Sequence, residues 1–354
     1  MHDPSPLRRN RRSARRHAGL SNPLFYLAVV LSASSSSSSA AAASGDHALF
    51  ATSDQNPFIQ IYSLPSPATG PVPPAGGWAW QLSFDLASNS ITEETPNGER
   101  IVLDGETYRT GITFSYGLSE RLTAAINVPL IAHSGGFLDG FVSDWHSLFG
   151  LSNARRNSFE KHQLEYAYVG MGDERHALQD RGQGLGDVRL SADWRLRGAE
   201  PGGRSLVLRP GLKLPTGSSS VLRGSGGTDL SLQLLSDDQQ TLAAWKMTLS
   251  WMLGGLWLGE GEVLDGLRRD LVAIGSIGVS RRVWQKLSAR VQLDGHTSFY
   301  DSTLQPLGSS GLQITFGGSI DLAGAGRVDL AMVENLVTDT IPDFGIHLAW
   351  RGKF

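Results

Sequence analysis

The amino-acid sequence predicts an all-β fold, an antiparallel transmembrane β-barrel of about twelve strands with a long extracellular loop that carries a short amphipathic helix. Three observations lead to this prediction: a secretory signal at the N-terminus, apolar residues at every second position, and connections that alternate between short and long. The composition agrees, because charged residues make up 18% of the 354 residues and 42 residues are glycine. Soluble domains average about 25% charged residues and about 7% glycine.

The first 43 residues have the three parts of a secretory signal peptide. Six arginines precede an apolar run at 24–31, which is followed by serines and by the alanines at 40–43. A basic start, a short apolar centre and small residues before the cleavage site are typical of export, and this run is too short to span a bilayer as a helix. We expect cleavage near Ala43. A basic tail that binds nucleic acid is the alternative interpretation.

Cleavage of this segment changes the charge of the protein. It removes six of the 31 basic and one of the 34 acidic residues, which leaves 25 against 33, a net charge of about −8. A mildly acidic chain has no basic surface for phosphates, so nucleic acid is not an expected partner. The absence of cysteine excludes disulfides, thiolate metal sites and a lipid-modified N-terminal cysteine.

Residues 44–77 form a proline-rich segment between the signal and the first strand. It contains the motif Asn56-Pro57-Phe58 and a run of prolines at 71–74. Proline interrupts both helices and sheet ladders, so this stretch is expected to be extended. The sequence leaves open whether it lies in the periplasm or folds into the barrel as a plug.

From residue 78 to residue 354, apolar residues alternate with polar ones in a series of segments. A period of two indicates strands with one apolar and one polar face, as in a membrane barrel with lipid outside and a polar interior. Segments with this pattern begin near Trp78, Ile112, Leu122, Val188, Leu206, Leu230, Ala243, Leu271, Leu287, Leu312, Val328 and Phe344.

The lengths of the connections test the barrel prediction. Short connections follow the even-numbered strands, and longer ones, such as 87–105 and the outer loop 131–184, follow the odd-numbered strands. Outer-membrane barrels have this alternation, because their periplasmic turns are short and their outer loops are long. A secreted β-sandwich is the alternative. A helical membrane protein is excluded, because the one candidate span at 242–258 carries Lys246 and two glycines.

The C-terminal strand resembles the signal that outer-membrane proteins present to the barrel-assembly machinery. Its aromatic and aliphatic residues alternate up to a terminal phenylalanine, although Gly352 lies where that signal usually has a bulky residue. The machinery and the outer-membrane lipid are therefore expected partners, and the Gram-negative outer membrane is the expected location. The residues of this signal are Phe344, Ile346, Leu348, Trp350 and Phe354.

The long outer loop contains apolar residues at helical spacing. We predict a short amphipathic helix that packs over the barrel mouth or enters the outer leaflet. Four histidines are scattered through the same loop without the tight spacing of a metal site, so no metal and no cofactor are expected. The predicted helix residues are Phe137, Leu138, Phe141, Trp145, Leu148 and Phe149.

Charged residues on the polar strand faces are candidates for the barrel lumen. In a barrel of about twelve strands they either pair across the interior or line a water-filled path. Their signs are balanced, which predicts no strong preference for anions or cations. The candidates are Arg189, Asp193, Arg195, Arg209, Arg290, Asp294 and His347.

No motif in the sequence points to catalysis. The chain lacks the nucleophile elbow Gly-x-Ser-x-Gly, a P-loop and a dinucleotide fingerprint in a strand–helix context. His133 beside Ser134 and His296 near Ser298 are the visible histidine–serine pairs. Neighbouring positions on a strand point to opposite faces, which argues against the first pair, and the second shares a face but has no identified third group. We expect that the protein is not an enzyme.

Several motifs together resemble an uncharacterised proteobacterial family, domain of unknown function 3187. They include Gly184-Leu185-Gly186-Asp187 and Lys213-Leu214-Pro215-Thr216-Gly217, the motif at 56–58 and the stretch at 127–141. The resemblance implies no activity for any residue. From the predicted barrel we expect a channel for the passive passage of a small solute, which could be apolar. The alternatives are a non-conducting structural, assembly or surface-binding barrel and, third, a lipid-modifying enzyme of the outer leaflet that depends on His296.

Overall fold

The computed structural model describes residues 49–69, 72–138, 140–142, 144, 162–170, 175–198, 203–336 and 340–354. They form fifteen antiparallel strands, of which twelve close into a barrel, because the first strand pairs with both the second and the last. The other three are short strands of the outer loop, between residues 165 and 185. The strands are β1 (Trp78–Glu94), β2 (Arg100–Gly117), β3 (Leu122–Ser134), β4 (Glu165–Val169), β5 (Arg175–Leu178), β6 (Gly182–Leu185), β7 (Arg189–Arg197), β8 (Leu206–Lys213), β9 (Asp229–Asp238), β10 (Met247–Trp257), β11 (Leu271–Arg282), β12 (Leu287–His296), β13 (Gly311–Leu322), β14 (Gly326–Asn335) and β15 (Phe344–Lys353).

Side chains alternate between the two faces of the wall as the sequence predicts. Closure leaves no edge in the twelve-stranded wall, so each of its strands pairs on both sides, which a lipid environment requires. Large apolar side chains cover the outside, and polar ones point inward and are buried. Outward-facing examples are Phe114, Ile126, Leu190, Trp194, Leu253, Trp257, Ile277, Val291, Ile320 and Leu330. The predicted antiparallel barrel of twelve strands is therefore confirmed, with both termini of the barrel at the end that carries the short turns, here called the inner end.

Two strand boundaries differ from the sequence prediction. The region 87–105, expected to be a loop, continues β1 and β2 as a paired hairpin as far as Glu94 and Arg100. Ile91 is buried there in an apolar cluster, which stabilises the extension. The strand expected from Ala243 instead begins at Met247, because residues 243–245 form a 3₁₀ turn that makes the reversal from β9.

The long outer loop contains more sheet than the sequence indicates. β4 pairs with the outer end of β2, β5 pairs with β4, and β6 pairs with the outer end of β3. Each of these strands has four or five residues. A segment of that length offers too few alternations to be recognised, which explains why the prediction missed them.

The chain after β3 turns back over the outside of the barrel. Leu138 and Val142 are buried against outward-facing Leu86 and Phe344, and the ring of Phe141 lies 5.6 Å from that of Phe344. Residues 140–142 and 144 are helical. The predicted helix residues Trp145, Leu148 and Phe149 lie outside the described residues, so the amphipathic helix stays a prediction. No helix in the described part of the chain is long and apolar enough to span a membrane.

A buried carboxylate on the outer surface of the wall anchors this segment. Glu106 faces outward from β2, is 1% exposed, and accepts hydrogen bonds from the amides of Phe137 at 2.8 Å and Leu138 at 2.6 Å. The hydroxyl of Tyr108 also donates to it. Backbone amides at the start of a helical turn favour a negative charge, so Glu106 fixes the segment against the wall.

Replacing Glu106 by glutamine is expected to loosen this segment. The substitution preserves size but removes the charge that strengthens both amide contacts, and hydrogen bonds to charged groups contribute about 1.5–3 kcal/mol. In lipid vesicles, chymotryptic cleavage after Phe137 and Phe141 should become about tenfold faster, because cleavage follows the population of the open segment. Glu120→Gln in an exposed turn is the control. An unchanged cleavage rate would contradict the anchoring role.

Candidate functional site

The polypeptide before β1 runs through the inside of the barrel, and we call residues 49–69 the luminal segment. Its first arm follows β12 toward the outer end. The amide of Phe50 donates to Gln292 Oε1 at 2.6 Å, and Thr52 Oγ1 donates to Asp294 Oδ2 at 3.0 Å. Farther along, Asp54 Oδ2 lies 2.9 Å from Nε2 of His296. Every second residue of the arm thus meets every second residue of β12, each pair 242 positions apart in the chain.

A short helical turn reverses the luminal segment near the outer loops. Helix α1 (Pro57–Gln60) begins after Asn56, whose side-chain oxygen accepts from the amide of Phe58 at 3.0 Å. The side-chain nitrogen Nδ2 of Asn56 donates to the carbonyl oxygens of Pro306 at 3.0 Å and Thr340 at 2.8 Å. Proline fits the first helical position because its missing N–H has no intrahelical partner there. The Asn-Pro-Phe motif therefore caps the turn and attaches it to two outer loops.

Two lumen-facing arginines bind the second arm of the segment as it returns toward the inner end. Arg189 donates from Nε to the carbonyl oxygen of Ser63 at 2.7 Å and from Nη2 to that of Tyr62 at 3.1 Å. Arg209 donates from Nη1 to the carbonyl oxygens at 66 and 68, both at 3.0 Å. These guanidinium groups satisfy backbone carbonyls that an extended segment would otherwise leave unpaired.

The outer half of the lumen is filled by an apolar cluster. Tyr62 stacks on Phe299 with ring centroids 5.2 Å apart, and the Tyr300 hydroxyl donates to the carbonyl oxygen of Phe58 at 2.7 Å. Two cavities beside the luminal segment measure about 30 and 20 Å³, which is room for a water molecule or two. The luminal segment contributes five buried residues to the apolar cluster: Leu49, Phe58, Ile59, Ile61 and Tyr62.

A buried ion cluster joins β7, β8 and β9 at the outer end. Lys213 Nζ lies 2.8 Å from Asp187 Oδ2 and 2.8 Å from Asp229 Oδ2, and all three side chains are fully buried. Asp187 also accepts from the amides of Gly217 at 2.8 Å and Ser225 at 3.1 Å. Because one lysine neutralises two carboxylates only in part, these amide donors supply the remaining stabilisation.

This cluster explains the Gly-Leu-Gly-Asp and Lys-Leu-Pro-Thr-Gly motifs. Thr216 Oγ1 donates to the carbonyl oxygen of Gly186 at 2.8 Å and accepts from the amide of Val188 at 2.9 Å. The two motifs therefore form one joint that positions the loop between β8 and β9. That loop returns to the lumen at Leu222, whose carbonyl oxygen accepts from Gln60 Nε2 of the luminal segment at 2.6 Å.

Replacing Gly217 by alanine is expected to release this loop. A Cβ atom at residue 217 would lie 2.4 Å from the carbonyl oxygen of Arg223, so the backbone must shift. Overpacking of this kind costs about 1–3 kcal/mol. Tryptic cleavage after Arg223, followed through the fragment that begins at Gly224, should become about tenfold faster.

Gly266→Ala is the matched control for this substitution, because a Cβ atom there meets nothing within 4 Å. Equal cleavage in the two variants would show that the close approach at Gly217 does not hold the loop in place.

The predicted lumen charges lie in several environments. Asp193 pairs with Arg209 at 2.8 Å, and Asp294 accepts from the luminal segment. Arg290 and His347 flank Phe50. Arg195 is different, because it lies at the inner rim and donates from Nη1 to the carbonyl oxygen of Glu120 at 3.1 Å. The register between β7 and β8 shifts at a β-bulge between Arg195 and Arg197, at this end of β7.

Sequence reasoning did not identify the luminal side of the site. The contacts of Asp54, Asn56 and Gln60 come from a segment without periodicity, so their partners could not be inferred. Gln292 was also missed, although the series of polar residues at 292, 294 and 296 on one strand face was a usable signal.

In the part of the chain that the structure describes, the histidines of the two histidine–serine pairs contact groups other than their serines. His133 contacts Thr107 Oγ1 at 3.1 Å and the carbonyl oxygen of Leu222 at 3.2 Å. His296 faces Asp54, while the hydroxyl of Ser298 donates to the carbonyl oxygen of Tyr300. Among the described residues, which exclude His146, no three histidine or acidic side chains gather as a metal site.

The residues of the predicted assembly signal lie along β15 and just after it. Ile346, Leu348 and Trp350 face outward, and the indole of Trp350 donates to the carbonyl oxygen of Ala325 at 2.8 Å. Phe344 is buried beneath Leu138 and Val142 of the chain that follows β3, and the side chain of Phe354 is 79% exposed. Recognition of this strand by the assembly machinery stays a prediction.

Comparison with known proteins agrees with this architecture. A model of the family described as "Protein of unknown function (DUF3187)" matches residues 23–354. No curated protein matches the sequence significantly. The COG4313 outer membrane channel from Pseudomonas putida F1 has a TM-score of 0.53 and 14% identity over 80% of this chain and 97% of that one, which shows the same fold.

Two toluene transporters are similar at a lower level. TbuX from Ralstonia pickettii has a TM-score of 0.40 and 11% identity, over 88% of this chain and 97% of that one. TodX from Pseudomonas putida has a TM-score of 0.34 and 11% identity, over 78% of this chain and 88% of that one. Toluene transport is stated for those two proteins alone. TM-scores this low add nothing to the fold assignment.

Proposed function

The chain belongs to the DUF3187 family of proteins of unknown function, and we propose that it is an outer-membrane channel for the passive passage of a small solute, with the luminal segment as its plug. The observation that carries the proposal is that residues 49–69 contribute no strand to the barrel while they occupy its interior. A segment held outside the sheet ladder can leave without breaking the wall. The solved structure with the same fold is itself named an outer membrane channel.

The lining of the lumen favours a solute with an apolar part. When the luminal segment leaves, the outer half still presents apolar residues such as Phe299, Tyr166 and Leu256, whereas polar and charged residues such as Arg209 and Asp193 line the inner half. A molecule that crosses this interior exchanges contacts first with apolar and then with polar groups. Small, partly apolar solutes satisfy both environments better than ions do.

The competing hypothesis is a non-conducting barrel in which the luminal segment is permanent packing. Both hypotheses use the same contacts, so the distinction lies in whether the segment moves. A lipid-modifying enzyme has less support, because His296 is paired with Asp54 of the luminal segment. Among the described residues, its ring nitrogens contact Asp54 and the carbonyl oxygen of Thr297, and neither contacts a serine.

A reversible cross-link between the luminal segment and the wall tests the channel. Thr52 Oγ1 lies 3.4 Å from Thr315 Oγ1, and the chain has no cysteine that could compete. In planar bilayers, the Thr52→Cys/Thr315→Cys variant should show no current when oxidised and should show openings after reduction. Thr52→Cys alone is the control, and its current should not respond to the reductant.

Two outcomes would contradict the proposal. Absence of current in the reduced variant and in the wild type would support the non-conducting barrel. Equal current in the oxidised and reduced states, with the cross-link verified by mass, would show that solutes pass without movement of the segment.

A further inference from the structure

Arg290 is a buried cation whose hydrogen bonds are incomplete. It faces the lumen from β12, is 2% exposed, and donates from Nη2 to the hydroxyl of Ser319 at 3.1 Å. Its Nε and Nη1 atoms have no hydrogen-bond partner among the residues that the structure describes. Burying an unpaired charge costs several kcal/mol, so two orphaned guanidinium donors indicate a place for an acceptor from outside the chain.

Two carboxylates of this region form salt bridges with neighbouring arginines. Asp329 Oδ2 lies 3.1 Å from Arg351 Nη2, and Asp321 Oδ1 lies 2.7 Å from Arg327 Nε. Arg327 and Arg351 are direct cross-strand neighbours. Asp237 also faces this group from a greater distance, and Arg290 is the arginine of the three that has no carboxylate within 4.0 Å among the residues that the structure describes.

An aromatic ring of the luminal segment covers this guanidinium. The Arg290 Cζ atom lies 4.3 Å from the centroid of the Phe50 ring, and the His347 ring meets the same phenyl group edge-on at 6.2 Å. His347 Nδ1 lies 2.6 Å from Asp85 Oδ1, while its Nε2 is buried and has no described partner. Phe50 thus occupies a site whose wall offers both aromatic contact and unused polar nitrogen atoms.

We propose that Arg290 is the anion-binding residue of a luminal site for a small aromatic carboxylate. The ring of this ligand enters the space of the Phe50 ring but tilts away from the face of the guanidinium group, so that its carboxylate accepts hydrogen bonds from the orphaned N–H groups of Arg290. Gln292, which binds the backbone of Phe50 through both side-chain atoms at 2.6 and 3.3 Å, is then free to contact the ligand. The proposal rests on the plug function, because the ligand replaces a residue of the luminal segment.

The experiment uses the full mature protein in detergent micelles and benzoate and toluene as probes. Phe50→Ala removes the ring and leaves the segment in place, and an apolar cavity of this kind can bind a benzene-sized ligand. Calorimetric titration should detect benzoate binding to this variant. Adding Arg290→Gln should weaken benzoate binding about tenfold to a hundredfold, because hydrogen bonds to a charged group are lost, and should leave toluene binding unchanged.

Two further variants make the result specific. Arg281→Gln in the Phe50→Ala background removes an exposed arginine and should not change benzoate binding. Arg290→Lys retains the charge and should restore part of the affinity. The unboiled gel mobility of each variant checks that the barrel is folded.

Binding of benzoate and toluene with equal affinity, insensitive to Arg290→Gln, would overturn the anion site. Absence of binding of either probe to Phe50→Ala would overturn the ring site. Both outcomes are independent of the disulfide experiment, because a channel can open and close without an aromatic-acid site at Arg290.

Discussion

Deletion of residues 49–69 from the mature chain is expected to convert a closed barrel into a permanently open pore. The luminal segment fills the outer half with Phe58 and Tyr62. It also accepts a hydrogen bond from Arg189 and donates one to Gln292. Without it, these side chains face water, and the bore is that of an unplugged twelve-stranded barrel, narrower than a porin of 16–18 strands. Single-channel current in a planar bilayer should rise from rare openings to a continuous conducting state.

The deletion removes part of the buried core, so the folding of the variant must be checked. A closed barrel migrates differently on a denaturing gel with and without boiling, and this shift should persist because the sheet ladder does not include the segment. Asn56→Ala is a milder variant that removes the two contacts with Pro306 and Thr340. It should give more frequent openings than the wild type. A folded deletion variant without current would show that outer loops alone close the lumen.

The membrane barrel was predictable because lipid imposes a simple rule on its outer face. Each strand that crosses the bilayer must present apolar residues at every second position, as at 249, 251 and 253 of β10, and the pattern survives without knowledge of any partner strand. Strand number and direction followed from these patterns and from the connection lengths. The rule fails outside the bilayer, where the extended ends of β1 and β2 and the short strands β4–β6 are stabilised by local contacts.

The interior was less predictable, because its contacts depend on which residues face each other across the lumen. Arg195 and Arg209 both follow the inward alternation, yet Arg195 ends at a rim carbonyl whereas Arg209 binds the luminal segment. Strand register and tilt decide this difference, and neither is visible in a single strand. The luminal segment itself has no periodicity because α1 and its prolines form no regular element longer than one turn. The Asn-Pro-Phe motif indicated a turn but not the two outer loops that the turn contacts.

Lys213→Met is expected to have the largest effect on stability of any single substitution considered for this barrel. In the part of the chain that the structure describes, Lys213 is the one cation within 4.0 Å of Asp187 and Asp229, at 2.8 Å from each, and Arg189 acts on both carboxylates from a greater distance. Methionine fills a similar volume but leaves two carboxylates buried beside each other. Removing one partner of a buried ion pair costs about 3–5 kcal/mol, because the remaining charge stays desolvated.

Urea unfolding of the refolded protein in lipid vesicles, followed by tryptophan fluorescence, measures this loss. Lys286→Met in the exposed β11–β12 turn is the control and should leave the midpoint unchanged. A triple variant that combines Lys213→Met with Asp187→Asn and Asp229→Asn removes every charge of the cluster, and it should recover much of the stability. Recovery would show that the cluster stabilises the joint by neutralising its own carboxylates. If Lys213→Met matched the control, water would have to solvate the two carboxylates, and the loop joint would owe its position to the Thr216 and Gly217 contacts instead.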